Sequence, residues 1–223
     1  MADIKFNNIQ GVIFDLDGTI LDSMYIWSEI GLKFLKLKGI TPPPGAEDEF
    51  ITMSLVQAAE YYIEHFDNTE TVEGIVNCIN SLVTDFYFNE VLKKEGITEF
   101  LEFLKSKNIK MCVATATDKY LVEKALKRNG ILQYFSEIFT CTSVGAGKDT
   151  PVIYDKALEH LGTDKDYTLV FEDALYAIKT AHGAGYRVVG IQDVSEKANE
   201  ETVKEHCEIY IKNYSEIYDY FGV

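Results

Sequence analysis

Six short apolar runs, separated by stretches of helical periodicity, constrain the fold of this chain more than any other feature. The runs cover residues 11–14, 110–114, 137–141, 168–171, 187–191 and 209–211. Most are almost continuously apolar rather than alternating, which is typical of parallel strands buried on both faces of a sheet. Between the later runs, apolar residues recur on one helical face, as at Leu121, Val122, Ala125 and Leu126. This alternation predicts an α/β fold with a doubly wound, mostly parallel sheet.

The segment 22–90 interrupts the alternation because it contains no convincing strand. Its first helical pattern is formed by Trp27, Ile30, Phe34 and Leu37. A glycine- and proline-rich breaker follows, and then come two further helical patterns, at about 54–65 and about 71–88. The sequence therefore predicts two domains. Residues 1–21 and 91–223 would form the α/β core, and residues 22–90 an inserted all-α domain.

Charge and cysteine content exclude several classes of protein. The net charge of the 223-residue chain is −15, and it has two arginines, so a nucleic-acid-binding face is not expected. Its four cysteines form no C-x-x-C pair, which argues against a zinc ribbon or a thioredoxin-like redox site. No apolar run approaches the roughly 20 residues of a membrane helix, and no secretory signal is evident. We expect a cytoplasmic protein without nucleic-acid or membrane partners.

Two aspartates directly follow the first predicted strand. In open α/β sheets, ligands bind outside the carboxyl ends of the strands. Asp15 and Asp17 are two positions apart, so in extended chain their side chains point the same way and can face one reacting group. One carboxylate can act as a nucleophile while the other supplies a proton to the leaving group. The alternative is a plain turn built from Asp17 and Gly18.

Three further groups follow later strands. Thr115 and the backbone N–H groups after it lie at an expected helix N-terminus, where phosphate oxygens bind, although helix capping by Thr115 alone would explain the pattern. Lys148 lies in a Gly-x-Gly-Lys turn between a strand and a helix, although an ordinary solvated lysine is the alternative. Glu172 and Asp173 end the fourth run, and two buried carboxylates are costly without a cation, although Asp173 could simply cap a helix.

Electrostatics connects these groups. A phosphate next to Asp15, Asp17 and Asp173 would bring several negative charges together, each pair costing roughly 4 kcal/mol at about 4 Å and an effective dielectric constant of about 20. Lys148 and a divalent cation would offset that repulsion. Mg²⁺ prefers carboxylate and water oxygens and binds substrate phosphates. The sequence therefore predicts magnesium-dependent phosphoryl transfer, with one of the two aspartates after the first strand as the nucleophile.

Four motifs carry a resemblance that covers nearly the whole chain. They are Phe14–Ser23 (FDLDGTILDS), Val113–Thr117 (VATAT), Gly147–Pro151 (GKDTP) and Val170–Ala174 (VFEDA), with Ala184-Gly185 further on. Together they resemble the haloacid dehalogenase-like hydrolase superfamily, in particular its β-phosphoglucomutase/phosphoglycolate-phosphatase branch. The helical insertion after the first motif is similar to the α-helical, C1-type cap of that branch.

The resemblance implies catalytic roles for matching positions. Asp15 would form the aspartyl-phosphate, and Asp17 would protonate the leaving group and then activate water. Thr115, the backbone of Ala116 and Lys148 would hold the phosphate. The cap would close over the site and set specificity.

The resemblance also implies a magnesium site. Its ligands would be Asp15, the carbonyl of Asp17, and Asp173, with Glu172 nearby or acting through water. The chain also departs from the family pattern: Asp149 replaces the usual proline after the lysine, Ala174 stands where serine is frequent, and Ala177 stands where glycine is frequent. None of these departures removes a catalytic group.

The choice between hydrolase and mutase depends on the insertion. Mutases of the β-phosphoglucomutase type carry a histidine where this chain has Trp27, and they use a cap arginine for the distal phosphate. Residues 22–90 contain no arginine, three lysines and twelve acidic residues. We therefore expect a phosphatase for a small phosphomonoester of the sugar or polyol phosphate class. A phosphosugar mutase and a non-catalytic phospho-ligand-binding protein are the alternatives, and the oligomeric state is not readable.

Overall fold

The computed structural model describes residue 6 and residues 8–41, 55–66 and 69–222. The chain divides into two compact units: Met1–Asp22 with Leu92–Val223, the core unit, and Ser23–Val91, the helical unit. The domain assignment drawn from the sequence stays a prediction, because a compact unit need not fold or act on its own.

The strands are β1 Gly11–Phe14, β2 Leu21–Asp22, β3 Leu92–Lys93, β4 Lys110–Thr115, β5 Ile138–Thr140, β6 Thr168–Glu172, β7 Arg187–Ile191 and β8 Ile209–Ile211. The helices are α1 Tyr25–Leu37, α2 Leu55–His65, α3 Val72–Asp85, α4 Ile97–Ser106, α5 Lys119–Arg128, α6 Cys141–Val144, α7 Val152–Leu161, α8 Leu175–Gly183 and α9 Glu200–Glu205. Within the described ranges, every helix falls short of the length and apolar character needed to cross a membrane.

The core unit contains a six-stranded sheet in the order β5-β4-β1-β6-β7-β8, with every neighbouring pair parallel. The predicted α/β fold is confirmed, and all six apolar runs form its strands. β1 lies between β4 and β6, and Phe14, its last residue, is in register with Val113 and Phe171. The residues that follow β1, β4 and β6 therefore emerge side by side at one edge of the sheet.

Alternation along β1 assigns its side chains to the two faces of the sheet. Ile13 belongs to a buried cluster that includes Ile153 of α7 and Ile178 of α8. Phe14 lies on the other face, with its ring centroid 4.9 Å from that of Phe171 and 6.2 Å from that of Phe100. Both faces are covered, so the strands need to be apolar throughout, as the sequence pattern indicated.

A second, very small sheet escaped the sequence analysis. β2 and β3 are two-residue strands that pair antiparallel, Leu21 with Lys93 and Asp22 with Leu92. Lys94 extends this connection, because its backbone N–H donates to the carbonyl of Ile20 over 2.8 Å. Strands this short carry no periodicity that could be recognised in a sequence.

The helical unit contains α1, α2 and α3. Ile30 and Phe34 of α1 are buried as expected, whereas Leu37 is 60% exposed, so the predicted apolar stripe ends one turn early. Phe34 packs on Tyr62 of α2, with ring centroids 4.8 Å apart. Thr71 caps α3 by accepting a 3.1 Å hydrogen bond from the N–H of Gly74. The predicted breaker cluster is described only as far as Thr41, and the rest of it lies outside the described residues.

The C-terminal tail forms two short 3₁₀ turns, Tyr214–Glu216 and Tyr218–Phe221. The spacing of Tyr214, Ile217, Tyr218 and Phe221 would also fit a single helix, which this segment does not form. Asn213 caps the first turn by accepting a 2.9 Å hydrogen bond from the N–H of Ser215. Tyr214 and Ile217 are nevertheless buried.

Candidate active site

Asp15 follows β1 at the carboxyl edge of the sheet and is buried. Its backbone N–H donates a 2.9 Å hydrogen bond to the carbonyl of Phe171, the residue before Glu172 in β6. The parallel ladder therefore continues past β1 and fixes the main chain at Asp15. A side chain on such a rigid element is held more accurately than one on a free loop.

A tight turn follows Asp15. The N–H groups of Ile20 and Leu21 both donate to the carbonyl of Leu16 over 2.8 Å, and the N–H of Gly18 donates to the carbonyl of Leu21 over 2.9 Å. Gly18 has a φ of +78°, a conformation that side chains with a Cβ rarely adopt. This turn brings the chain back on itself directly after Asp17.

Asp17 is oriented by a residue that sequence reasoning left without a role. Thr117 Oγ1 donates a 2.6 Å hydrogen bond to Asp17 Oδ2, and the N–H of Thr117 donates to Thr115 Oγ1 over 3.0 Å. Thr115 ends β4 and is fully buried, whereas Ala116 is exposed. The predicted nucleophile loop and the predicted phosphate-binding loop are thus joined by a side-chain hydrogen bond.

Lys148 occupies the centre of the cluster and is 3% exposed. Its ammonium group donates to Asp15 Oδ1 and, over 2.8 Å, to Glu172 Oε2. Burial alone would lower the pKa of Lys148, but the Asp15 and Glu172 carboxylates raise it well above its ordinary value. The lysine is therefore a permanent positive charge in the site.

Tyr154 of α7 supports this pair from within the core. Its hydroxyl donates a 3.1 Å hydrogen bond to Glu172 Oε2, the oxygen that also accepts from Lys148. Burial and the Glu172 charge raise the pKa of the Tyr154 hydroxyl, so it stays protonated and remains a donor. The sequence analysis missed Tyr154. The available signal was an aromatic polar residue in the first turn of the helix that follows the Gly-Lys motif.

Asp173 has one paired and one unpaired oxygen. Its Oδ1 accepts a 3.1 Å hydrogen bond from Thr19 Oγ1, while Oδ2 is buried and accepts none from any described residue. Burial, Asp15 and Glu172 raise the pKa of the Asp173 carboxyl well above its ordinary value. Burial and Glu172 likewise raise the pKa of Asp15, although Lys148 opposes the shift. The cluster has more negative charge than one lysine balances.

The donor set fits a divalent cation. One carboxylate oxygen from each of Asp15, Glu172 and Asp173 lies within 4.8 Å of the others. Carboxylate oxygens are the ligands Mg²⁺ prefers, and Asp173 Oδ2 is a buried acceptor that lacks a donor. The Asp17 carboxylate is not part of this cluster, and the expectation for Asp17 concerned its carbonyl. The residues present can therefore hold Mg²⁺.

A partly buried ion pair lies close to this cluster. Lys94 Nζ is 2.8 Å from Asp193 Oδ2, and Asp193 is among the charges that raise the pKa of Asp173. Lys94 also donates to the carbonyl of Gln192 over 2.9 Å. The sequence analysis missed Asp193, although a search for acids after every predicted strand, β7 included, would have found it.

Comparison with known proteins gives the site its family. The family model described as haloacid dehalogenase-like hydrolase matches residues 12–191. A phosphorylated carbohydrates phosphatase from Thermotoga maritima is 29% identical over 82% of this chain and 85% of its own. A candidate pyrophosphatase from Clostridium perfringens is 28% identical over 82% and 84%.

A solved structure with a similar fold is also found. The crystal structure of a candidate β-phosphoglucomutase from Thermotoga maritima aligns with a TM-score of 0.82 at 23% identity, covering 96% of this chain and 97% of that one. At this identity the likeness concerns the fold alone. The family match, in contrast, includes all four motifs whose residues meet at the carboxyl edge of the sheet. The chain therefore belongs to the haloacid dehalogenase-like hydrolase family.

Proposed function

We propose that the protein is a Mg²⁺-dependent phosphatase that hydrolyses a small phosphomonoester through an aspartyl-phosphate on Asp15. The enzyme class, a phosphoric monoester hydrolase of this family, is supported by the relatives named as phosphatases. The substrate class and the roles of individual residues are proposed here in addition to the enzyme class. The proposal also includes a cytoplasmic location.

One observation carries the proposal. Asp15, Lys148, Glu172 and Asp173 form a single buried cluster, and Asp173 retains an oxygen with no donor among the described residues. Burying a carboxylate without a partner is costly, so a fold that does this must recover the cost through a ligand or a reaction. A divalent cation would be such a ligand, and phosphoryl transfer would be such a reaction.

In the first step Asp15 would attack the phosphorus of the substrate. An Asp15 Oδ–P bond forms and the bond from phosphorus to the substrate oxygen breaks. The leaving alkoxide takes the proton of Asp17, and Thr117 holds Asp17 in place for this transfer. Lys148 offsets the negative charge on the phosphoryl oxygens, since it is the buried cation next to Asp15.

In the second step water would release Asp15. The Asp17 carboxylate, deprotonated by the first step, takes a proton from a water molecule, and the oxygen of that water bonds to phosphorus as the Asp15 Oδ–P bond breaks. Inorganic phosphate leaves, and Asp15 and Asp17 return to their starting protonation states. Thr115 and the backbone of Ala116 would bind the phosphoryl oxygens in both steps.

Asp15, the Asp17 carbonyl and Asp173 would hold Mg²⁺, with Glu172 close by or acting through water. When bound, the ion supplies positive charge against the phosphate and against the carboxylates of the cluster.

The substrate is proposed to be a sugar or polyol phosphate. Support comes from the relative named for phosphorylated carbohydrates and from the charge of residues 22–90, which have twelve acids against three lysines and no arginine. Such a segment suits a substrate with a neutral body better than a polyanion. The relative named as a pyrophosphatase makes pyrophosphate the first competitor to test.

The test is phosphate release from a panel of sugar phosphates, polyol phosphates and pyrophosphate, with Mg²⁺ and with chelator. We expect release to require Mg²⁺, to be highest for a neutral-bodied monoester, and to disappear in Asp15→Asn. Asp219→Asn, an exposed aspartate far along the chain, is the matched control and should retain activity. Interconversion of hexose phosphates that needs a bisphosphate primer would favour the mutase instead. Absence of turnover with every compound would favour a binding protein.

A further inference from the structure

We propose that Tyr214 is a positioning residue that fixes the metal-binding carboxylate Asp173 by acting through Thr19. The inference rests on the proposed function, because it concerns the proposed Mg²⁺ site. It involves a residue outside the four motifs and in a part of the chain beyond the family match, which ends at residue 191.

Two hydrogen bonds connect the three residues. The Tyr214 hydroxyl donates to the carbonyl oxygen of Thr19 over 3.1 Å, and Thr19 Oγ1 donates to Asp173 Oδ1 over 3.1 Å. All three side chains are at most 1% exposed. Water therefore cannot easily substitute for either donor, and loss of one would leave a buried acceptor unsatisfied.

Packing holds the Tyr214 ring in one orientation. It stacks on Phe100 with centroids 5.5 Å apart and on Phe171 with centroids 6.2 Å apart, at interplanar angles of 29° and 13°. Its Cβ lies against Gly96, where an added Cβ would come within 3.2 Å. Gly96 has a φ of +79°, so glycine is favoured there by both conformation and space.

The hydrogen bond from Tyr214 to the Thr19 carbonyl explains how Tyr214 can orient Asp173. The Thr19 carbonyl belongs to the tight turn in which Ile20 and Leu21 donate to Leu16, so fixing it fixes the direction of the Thr19 side chain. Thr19 then occupies Oδ1 of Asp173 and leaves Oδ2 as the oxygen free to bind a cation. Groups that orient metal ligands from outside typically change metal affinity by about ten- to a hundredfold when removed.

The test is a calorimetric titration of the 223-residue chain with MgCl₂, in parallel with thermal unfolding. Tyr214→Phe keeps the stacked ring and removes the hydroxyl. We expect its dissociation constant for Mg²⁺ to rise about three- to tenfold, less than for direct orienting groups because Tyr214 acts through one intermediary. Tyr218→Phe is the matched control, since Tyr218 belongs to the same tail and packs on the same Phe100 ring. Its Mg²⁺ affinity should equal that of the wild type.

A double-mutant cycle tests the route. Thr19→Val removes the hydroxyl that contacts Asp173, and in that background Tyr214→Phe should change Mg²⁺ affinity by less than about twofold. Thr19→Ala also removes the hydroxyl and takes the place of Thr19→Val in the cycle if the valine variant does not fold. Thr19→Ser, which keeps the hydroxyl, should retain most of the Mg²⁺ affinity and the full effect of Tyr214→Phe. Equal Mg²⁺ affinity in wild type and Tyr214→Phe overturns the inference alone. A wild-type protein that does not bind Mg²⁺ overturns the proposed metal site, and the inference with it.

Discussion

Lys148 and Glu172 form an ion pair inside the protein, with Lys148 Nζ 2.8 Å from Glu172 Oε2 and both side chains at most 2% exposed. The same ammonium group also contacts Asp15. One cation therefore serves two carboxylates, while a third, Asp173, stands beside them. The cluster therefore contains more carboxylates than Lys148 alone can balance.

Lys148→Met should destabilise the protein as well as inactivate it. Removing one partner of a buried ion pair leaves an uncompensated charge and costs about 3–5 kcal/mol. We expect a loss of that size in the free energy of unfolding, measured in urea with chelator present. The double variant Lys148→Met/Glu172→Gln should regain part of it, because it removes one of the unbalanced carboxylates. Lys156→Met, at an exposed ion pair, serves as the control and should change stability by less than about 1 kcal/mol. Equal losses in both single variants would contradict the prediction.

Tyr154→Phe should lower activity, while its loss of unfolding free energy should be that of removing one buried hydrogen bond. The variant removes the 3.1 Å hydrogen bond to Glu172 Oε2, and a net loss of about 0.5–1.5 kcal/mol in stability is expected. Tyr186→Phe is the matched control, because its hydroxyl donates to Asp155 over 2.7 Å within the same region of packed rings. We expect similar unfolding free energies but a kcat reduced about three- to tenfold in Tyr154→Phe only. Equal kcat values in the two variants would show that Tyr154 serves the core alone.

Asp173→Asn should change how stability depends on pH and on Mg²⁺. Burial and the neighbouring Asp15 and Glu172 raise the pKa of Asp173, so without metal the folded state binds more protons than the unfolded state above about pH 4. Stability in chelator therefore falls as pH rises from about 4 toward the raised folded-state pKa. The fall should be shallower in Asp173→Asn, which lacks this titrating group.

The same variant should lose its response to Mg²⁺. A ligand at about 100 times its dissociation constant stabilises the folded state by about 2.7 kcal/mol. We expect that gain in the wild type and little of it in Asp173→Asn, measured by urea unfolding at pH 7 with and without Mg²⁺. Parallel pH profiles together with equal Mg²⁺ responses in both proteins would show that Asp173 is neither strongly shifted nor a ligand.

Thr117→Val should affect substrates according to their leaving group. Loss of the 2.6 Å bond to Asp17 disturbs the proposed proton donor, and general acid catalysis contributes about 10²–10⁴-fold. We expect alcohol release from an alkyl phosphate to fall about tenfold or more in a single turnover. Release of p-nitrophenolate, which needs no proton from a general acid in order to leave, should change little. Thr142→Val is the control, since Thr142 contacts Asp118 at the surface. Equal effects on both substrates would argue against a role for Thr117 in proton transfer.

Much of the fold was predictable because its strands are buried on both faces. Continuous apolar runs such as 168–171 have no other simple interpretation when helical patterns separate them. The family and the fold were confirmed. The β2–β3 pair was not predictable because two residues carry no period. The structure of the tail was not predictable because the aromatic spacing at Tyr214, Tyr218 and Phe221 fits either a helix or successive 3₁₀ turns.

Most of the site residues that could be predicted end or follow a strand, whereas Lys148 was recognised from its Gly-x-Gly-Lys turn. Asp15, Asp17 and Asp173 could be named because polar residues after buried strands are conspicuous. The supporting donors Thr117, Tyr154 and Tyr214 could not be assigned, because their roles depend on which side chain faces which across long sequence separations. The catalytic roles and the metal ligands remain predictions that the experiments above address.

The position of β1 in the sheet has a consequence for how the chain folds. Val12 pairs with Met111 on one side and with Leu169 on the other, although β1 leaves the ribosome long before either partner. The apolar central strand therefore stays unpaired and exposed while the sequence up to its partners is synthesised at about 5–20 residues per second. Pairings between such distant segments close slowly because loop entropy opposes them. We expect the nascent chain to be most prone to aggregation in that interval, and nicking or chaperone capture to concentrate there.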